Sequence, residues 1–217
     1  MKMAVEFLDS HKPGGRPFFL YLPLVMPHPS YTAPQPKYDM YSPKDIPPLK
    51  PRTEGKPSFH RLIPETRNIE GFKNFRKLNA VYLGMCSAVD ALLGQVLDVL
   101  DRNGLAEETT VIVSADHGDW AGDYGLVEKW PDCLEDALTH VPLIIRTPGG
   151  AEGHRVHNLN EGFDVFSAVM DLAGLKASHT NFSRSLVPEL MGGEGDPEGC
   201  VRGGRLQPQR EALLRRA

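Results

Sequence analysis

The chain has little cysteine, little net charge and no long apolar run, and each of these shortages argues against a class of protein. Three cysteines, Cys86, Cys133 and Cys200, occur among its 217 residues. Their spacing fits no metal finger, and an odd number argues against a complete disulfide framework. A net charge of −4 gives no basic field, so nucleic acid is not an expected partner. No run approaches the ~18 to 20 apolar residues of a membrane span, so none is predicted.

The first nine residues also lack the features of a signal peptide. They are charged and amphipathic, without an apolar core or a small-residue cleavage site. A chain that truly starts at Met1 is therefore expected in the cytoplasm, whereas an upstream export signal would leave its location open. No feature of the sequence indicates an oligomeric state.

Apolar patterning predicts alternating helices and strands in an ordinary globular composition, 41% hydrophobic and 24% charged. Helices are predicted over residues 2–9, 74–102 and 163–173, the last two ending at Asn103-Gly104 and Gly174. Strands are predicted over residues 17–23, 109–115 and 141–146, the first two buried inside a sheet. Prolines crowd residues 27–64, which predicts a long loop excursion without helices. This alternation is typical of an α/β layered sheet.

The most informative segment is Asp116-His117-Gly118, which follows a predicted interior strand. In open α/β sheets ligands bind beyond the carboxyl ends of strands. A carboxylate oxygen and an imidazole nitrogen together suit a divalent cation. A solvated turn, in which the aspartate bonds its own backbone, is the alternative for this tripeptide taken alone.

Several segments in the same order resemble the sulfatases of the alkaline phosphatase superfamily. They are residues 18–21 leading to 27–29, 82–90, 116–118, 122–129, 141–146 and 185–190. The resemblance covers residues 18–192. It implies a layered α/β/α sandwich of the alkaline phosphatase-like type, with the N-terminal part of the sheet missing. We expect residues 1–192 to be a partial catalytic domain and residues 193–217 to be a Gly/Arg-rich, poorly ordered tail.

The resemblance also implies roles for four residues. Asp116 and His117 would ligate a divalent metal, usually calcium in sulfatases, and Lys129 would bind the sulfate oxygens. A glycine-bearing loop, Gly118 to Gly125, separates Lys129 from this pair and is expected to fold back over it. His28 would contact the sulfate or the leaving-group oxygen. A cation or an imidazolium can offset the charge that develops on the departing oxygen. A surface lysine and a packed loop histidine are the alternatives for Lys129 and His28.

The chain departs from the family at the nucleophile. Sulfatases use a formylglycine made within a Cys/Ser-x-Pro-x-Arg segment, and no cysteine or serine here begins one. Asp116 and His117 are also fewer ligands than a hard cation collects. We therefore expect the chain to be a fragment of a sulfate ester hydrolase, acting on a small-molecule or carbohydrate sulfate ester, and to be inactive alone.

Three other functions stay open. A phosphonate or phosphate monoester hydrolase of the same superfamily shares the metal and lysine arrangement. A sulfatase-like module could bind a sulfated or phosphorylated ligand without hydrolysing it. An α/β domain without a ligand would require the whole ordered set of motifs to be accidental.

Overall fold

The computed structural model describes residues 1–52, 55, 56, 58, 60, 72–130 and 134–194. The chain divides into two compact units. Unit 1 comprises Met1–Thr109 and His117–Pro142, and unit 2 comprises Thr110–Asp116 and Leu143–Ala217. The predicted tail from residue 193 onward falls almost entirely outside the described residues, as do Cys133 and Cys200.

Unit 1 is helical, and its long helix confirms the predicted one. Its α-helices are α1 (Lys2–Asp9), α2 (Phe75–Arg102) and α3 (Asp136–Thr139). Short 3₁₀ helices occupy Lys37–Asp39, Ala106–Glu108 and Asp123–Gly125. Helix α2 ends as predicted, because Gly104 adopts the left-handed conformation (φ +69°) that helix C-termini favour.

Helix α2 packs closely against the proline-rich segment. A Cβ on Gly84 would lie 2.1 Å from the carbonyl oxygen of Lys37, so only glycine permits this approach. Met85, on the next position, is 1% exposed. Up to residue 52 the predicted excursion contains the 3₁₀ helix Lys37–Asp39 and no α-helix or strand. The prediction of an excursion without helices is wrong at His60, a described residue that is helical.

Helix α2 bears on the prediction that no segment spans a membrane. It is long and apolar enough to cross one by length and composition, although helices in protein cores pass the same test. Ala80, Val81, Met85 and Ala88 of this helix are buried inside the unit. The sequence criterion of one continuous apolar run did not identify it.

Unit 2 contains the two strands of the described chain. Strand β1 (Val111–Ser114) pairs antiparallel with β2 (Leu143–Arg146), with Val111 opposite Arg146. Helices α4 (Asp164–Leu172) and α5 (Val187–Leu190) follow. The α/β class and both strand positions are confirmed, although β2 begins at Leu143, after Pro142, and not at residue 141. The prediction of an interior position for β1 is wrong, because its apolar residues are only half-buried.

The strand predicted over residues 17–23 is also wrong. The segment carries no strand ladder within the described residues. Phe19 and Tyr21 are 73% and 77% exposed, whereas a strand buried on both faces would hide them. A β-strand exists only where a neighbouring backbone accepts and donates its hydrogen bonds. Aromatic and apolar composition cannot report whether that neighbour is present.

A buried ion network explains the Ser185–Leu190 motif of unit 2. The Arg184 Nη1 lies 3.1 Å from Glu189 Oε1, and its Nε lies 3.6 Å from Asp164 Oδ2. Both carboxylate side chains are 3% exposed. The backbone N–H of Arg184 donates to Asp164 at 2.9 Å, which fixes the start of the motif against α4. Leu186 is buried beside them at 2% exposure.

We predict that Arg184→Ala strongly destabilises unit 2. The substitution would leave two buried carboxylates without their cation, a loss that typically costs about 3–5 kcal/mol. Chemical unfolding of the natural protein measures it. Arg102→Ala is the matched control, since Arg102 pairs with Asp9 on the surface, with side chains 51% and 42% exposed. Equal losses for the two substitutions would contradict the assignment of Arg184 to a buried network.

Candidate functional site

The residues that follow Asp116-His117 form a loop, residues 118–129, that folds back on itself. The N–H of Gly118 donates to Leu138 O at 2.9 Å. A Cβ at this position would lie 1.9 Å from the carbonyl oxygen of Ala137. The glycine of the Asp-His-Gly tripeptide is therefore required by a close backbone approach rather than by a solvated turn.

Apolar packing and backbone hydrogen bonds hold the 118–129 loop closed. Trp120, Leu126 and Leu138 form a buried core that Tyr124 and Ala137 flank. The N–H of Trp120 donates to Glu128 O and that of Gly122 to Leu126 O, both at 2.9 Å. The two arms of the loop are therefore paired, and its ends lie together.

Three non-glycine residues of the 118–129 loop have left-handed backbones. They are Ala121 (φ +45°), Tyr124 (φ +56°) and Glu128 (φ +60°). Such conformations are unfavourable for residues with a Cβ and persist where surrounding contacts enforce them. The loop path is thus set by its packing rather than by local preference.

Loop closure brings Lys129 onto His117. The Lys129 Nζ lies 3.2 Å from His117 Nε2, and both side chains are half-buried. The sequence predicted this meeting from the glycine-bearing loop between the two residues, and the distance agrees with it. The ammonium group of Lys129 is thus within hydrogen-bonding distance of an imidazole nitrogen of His117.

The contacts of His117 select one tautomer. Its Nδ1 lies 2.7 Å from the carbonyl oxygen of Gly118, which can only accept a hydrogen bond. Nδ1 therefore carries the proton, and Nε2 presents a lone pair toward the Lys129 ammonium. Histidines that ligate metals usually donate their other ring N–H in this way, commonly to a backbone carbonyl.

The donor chemistry of Asp116 and His117 fits a divalent cation, but their number is small. Asp116 is exposed and follows β1, and it is consecutive with His117 in the chain. No group of three or more histidine, cysteine, aspartate or glutamate side chains that could hold an ion occurs within the described residues. Calcium takes six to eight oxygen ligands, so a complete site needs donors beyond these two residues.

His28 is exposed and lines a cleft of unit 1. Its Nδ1 is 2.7 Å from the carbonyl oxygen of Pro29. It lines an open cleft of about 590 Å³ together with Val25, Met26, Thr32 and Met85, among others. His117 and Lys129 are not among the described residues that line this cleft, so the structure does not bring His28 onto them.

Sequence analysis missed Tyr31, which contacts the 118–129 loop. Its hydroxyl donates to Asp119, with distances of 2.9 and 3.2 Å to the two carboxylate oxygens. Burial raises the pKa of the Asp119 carboxyl, and hydrogen bonds from the Ala121 N–H and from Tyr31 oppose the rise. Burial likewise raises the pKa of the Tyr31 hydroxyl. No sequence signal links Tyr31 to a loop 88 residues away.

Three other polar side chains of this region either bind the backbone or are exposed to solvent. Asp123 accepts the N–H of Lys50 at 2.9 Å, and Asp136 and His140 are exposed. The Trp120 side chain packs in the loop core. Burial raises the pKa of the half-buried Cys86 thiol, which agrees with an inert cysteine.

Comparison with known proteins gives the affiliation of the chain. The model of the family described as Sulfatase matches residues 1–175. The chain is 30% identical to the multifunctional alkaline phosphatase superfamily protein PehA of Trinickia caryophylli, over 84% of this chain and 39% of that protein. It is 30% identical to arylsulfatase K of Bos taurus, over 80% of this chain and 35% of that protein.

A solved structure agrees with the sequence relatives. The phosphonate monoester hydrolase SpPMH from Silicibacter pomeroyi superposes with a TM-score of 0.68 at 32% identity. The match covers 78% of this chain and 36% of that one. The chain thus spans about 35 to 39% of the length of the two curated relatives. Because the family model covers most of the sequence, the chain belongs to the sulfatase family of the alkaline phosphatase superfamily.

Proposed function

We propose that the chain supplies the metal-binding and anion-binding side of a sulfate ester hydrolase. Asp116 and His117 would ligate a divalent metal, calcium by preference, and Lys129 would bind the sulfate oxygens. The observation that carries the proposal is the 3.2 Å contact between Lys129 Nζ and His117 Nε2. The contact supports the proposal because it brings an ammonium group to the imidazole that would bind the metal.

Lys129 is suited to an anion because its partner at this contact is a neutral ring. With its Nδ1 proton directed to Gly118 O, His117 offers Lys129 only a lone pair. A negatively charged ester oxygen is a stronger acceptor for an ammonium than a neutral imidazole. The lysine can therefore turn from His117 to an arriving sulfate group.

The pair Asp116 and His117 would hold the metal by one carboxylate oxygen and the Nε2 nitrogen. A divalent cation acts as a Lewis acid on the ester when it is bound. The hydrogen bond from Nδ1 to Gly118 O orients the imidazole for that role. The close approach of Gly118 to the backbone of Ala137 fixes the position of this carbonyl.

His28 would contact the sulfate or the leaving-group oxygen. Its exposure and its place at the rim of an open, largely apolar cleft support this role. The proline-rich segment that carries it would then set the choice of substrate, a small-molecule or carbohydrate sulfate ester. No Cys/Ser-x-Pro-x-Arg segment occurs in the sequence, so these 217 residues alone would be inactive.

The second candidate function is hydrolysis of phosphonate or phosphate monoesters. The similarity to SpPMH, a phosphonate monoester hydrolase, favours it. The Lys129–His117 arrangement suits either anion, because both esters present oxygens with negative charge. A sulfatase-like module that binds its ligand without hydrolysis is the remaining alternative, since no nucleophile segment occurs in the chain.

We predict that Lys129→Ala lowers kcat/KM for a sulfate ester in the natural protein while the bound metal is retained. Loss of one preorganised charge stabiliser costs roughly 2 to 4 kcal/mol of transition-state stabilisation. The control is Lys50→Ala, because Lys50 lies 3.8 Å from Asp123 of the same loop. An unchanged rate in the Lys129 variant would remove this residue from the site.

We predict that Asp116→Ala loses the metal and nearly all turnover. The substitution removes the anionic ligand of the pair, and metal analysis of the purified natural protein measures the loss directly. Asp171→Ala is the matched control, since Asp171 is an exposed carboxylate of unit 2 in the last turn of α4. Normal metal content in the Asp116 variant would rule out the ligand assignment.

A further inference from the structure

The hydroxyl of Tyr31 makes contacts with both arms of the 118–129 loop. It donates to the Asp119 carboxylate, 2.9 Å from one oxygen and 3.2 Å from the other. It accepts the backbone N–H of Glu128 at 2.8 Å. Asp119 follows His117 by two residues and Glu128 precedes Lys129 by one. A single side-chain oxygen thus joins the arm that begins at His117 to the arm that ends at Lys129.

The backbone of Glu128 sets the direction in which the next residue, Lys129, leaves the loop. Its φ of +60° is unfavourable for a glutamate, so surrounding contacts must hold it. Tyr31 binds its N–H, and the N–H of Trp120 binds its carbonyl oxygen at 2.9 Å. That carbonyl belongs to the peptide bond between Glu128 and Lys129. Both hydrogen-bonding groups of the residue before Lys129 are therefore held.

Asp119 extends the link into the first arm of the loop. Besides Tyr31, its Oδ1 accepts the N–H of Ala121 at 2.7 Å. Ala121 also has a left-handed backbone, with φ of +45°. Tyr31 itself is half-buried and packs edge-on to Tyr82 of α2, with ring centroids 6.5 Å apart. The hydroxyl is thus presented from an ordered ring.

We propose that Tyr31 is a positioning residue that holds the backbone of Lys129 beside His117 through its hydrogen bonds to Asp119 and the Glu128 backbone. The proposal rests on the proposed function, in which Lys129 binds the ester anion. Tyr31 has no contact with a reacting group in this account. It acts through the backbone on which Lys129 is mounted, so its loss lowers turnover by misplacing the lysine.

The test is Tyr31→Phe in the natural protein, with Tyr41→Phe as its matched control. Phenylalanine keeps the ring that packs against Tyr82 and removes only the hydroxyl. Tyr41 comes from the same proline-rich segment, and its half-buried hydroxyl bonds Ser87 of α2 at 2.9 Å, away from the loop. Each substitution therefore removes one tyrosine hydroxyl with its internal hydrogen bonds.

Two readouts separate positioning from general stability. Hydrogen exchange resolved to the Glu128 amide should accelerate in Tyr31→Phe and stay unchanged in Tyr41→Phe. For a sulfate ester, kcat should fall about 10- to 100-fold in Tyr31→Phe, as for other residues that orient a site from behind, with KM and melting temperature close to the control.

The outcomes distinguish this proposal from the one beneath it. Unchanged exchange at Glu128, or an equal fall of kcat in both tyrosine variants, overturns the positioning role. If Lys129→Ala leaves turnover intact, the anion-binding role falls. In that case faster exchange at Glu128 in Tyr31→Phe would still establish that Tyr31 holds this part of the loop.

Discussion

The burial of Trp120 and Leu126 against Leu138 closes the 118–129 loop, and the candidate site depends on that closure. Trp120 is 1% exposed and Leu126 is fully buried, so opening the loop would return two large apolar side chains to water. The packing also sustains left-handed backbones at three residues that have a Cβ. Because the closed loop has its two ends together, His117 and Lys129 meet at 3.2 Å. The candidate site thus depends on an apolar core that contributes none of the proposed site residues.

Small and polar residues then fix the positions of His117 and of the two arms of the loop. Gly118 allows the backbone of the motif to touch that of Ala137, and this contact places the carbonyl that orients His117. Tyr31 and Asp119 join the two arms of the loop through hydrogen bonds to the Tyr31 hydroxyl. In unit 2 a buried ion network fixes the motif instead. Arg184 pairs with Asp164 of α4 and with Glu189 of the Ser185–Leu190 motif. In both units, close packing fixes the backbone of the sequence motif.

Local rules predicted the helices well and the strands only by position. Helix α2 was found within one residue at its start, because its periodicity and the Asn103-Gly104 cap are encoded nearby. Residues 17–23 have the composition of a buried strand, yet Phe19 and Tyr21 are exposed, since burial depends on partners that local sequence does not name. The Lys129–His117 contact was predictable from one glycine-bearing loop. Tyr31 was not, because its partner Asp119 is 88 residues away.

The ester that the site accepts decides between the sulfate and the phosphonate or phosphate activities proposed for this chain. The direct measurement compares kcat/KM of the natural protein for sulfate, phosphate and phosphonate esters that carry the same leaving group, with calcium present. The account predicts the highest value for the sulfate ester, with a loss of turnover when calcium is chelated. A higher value for the phosphonate or phosphate ester, or binding of the sulfate ester without turnover, would contradict it.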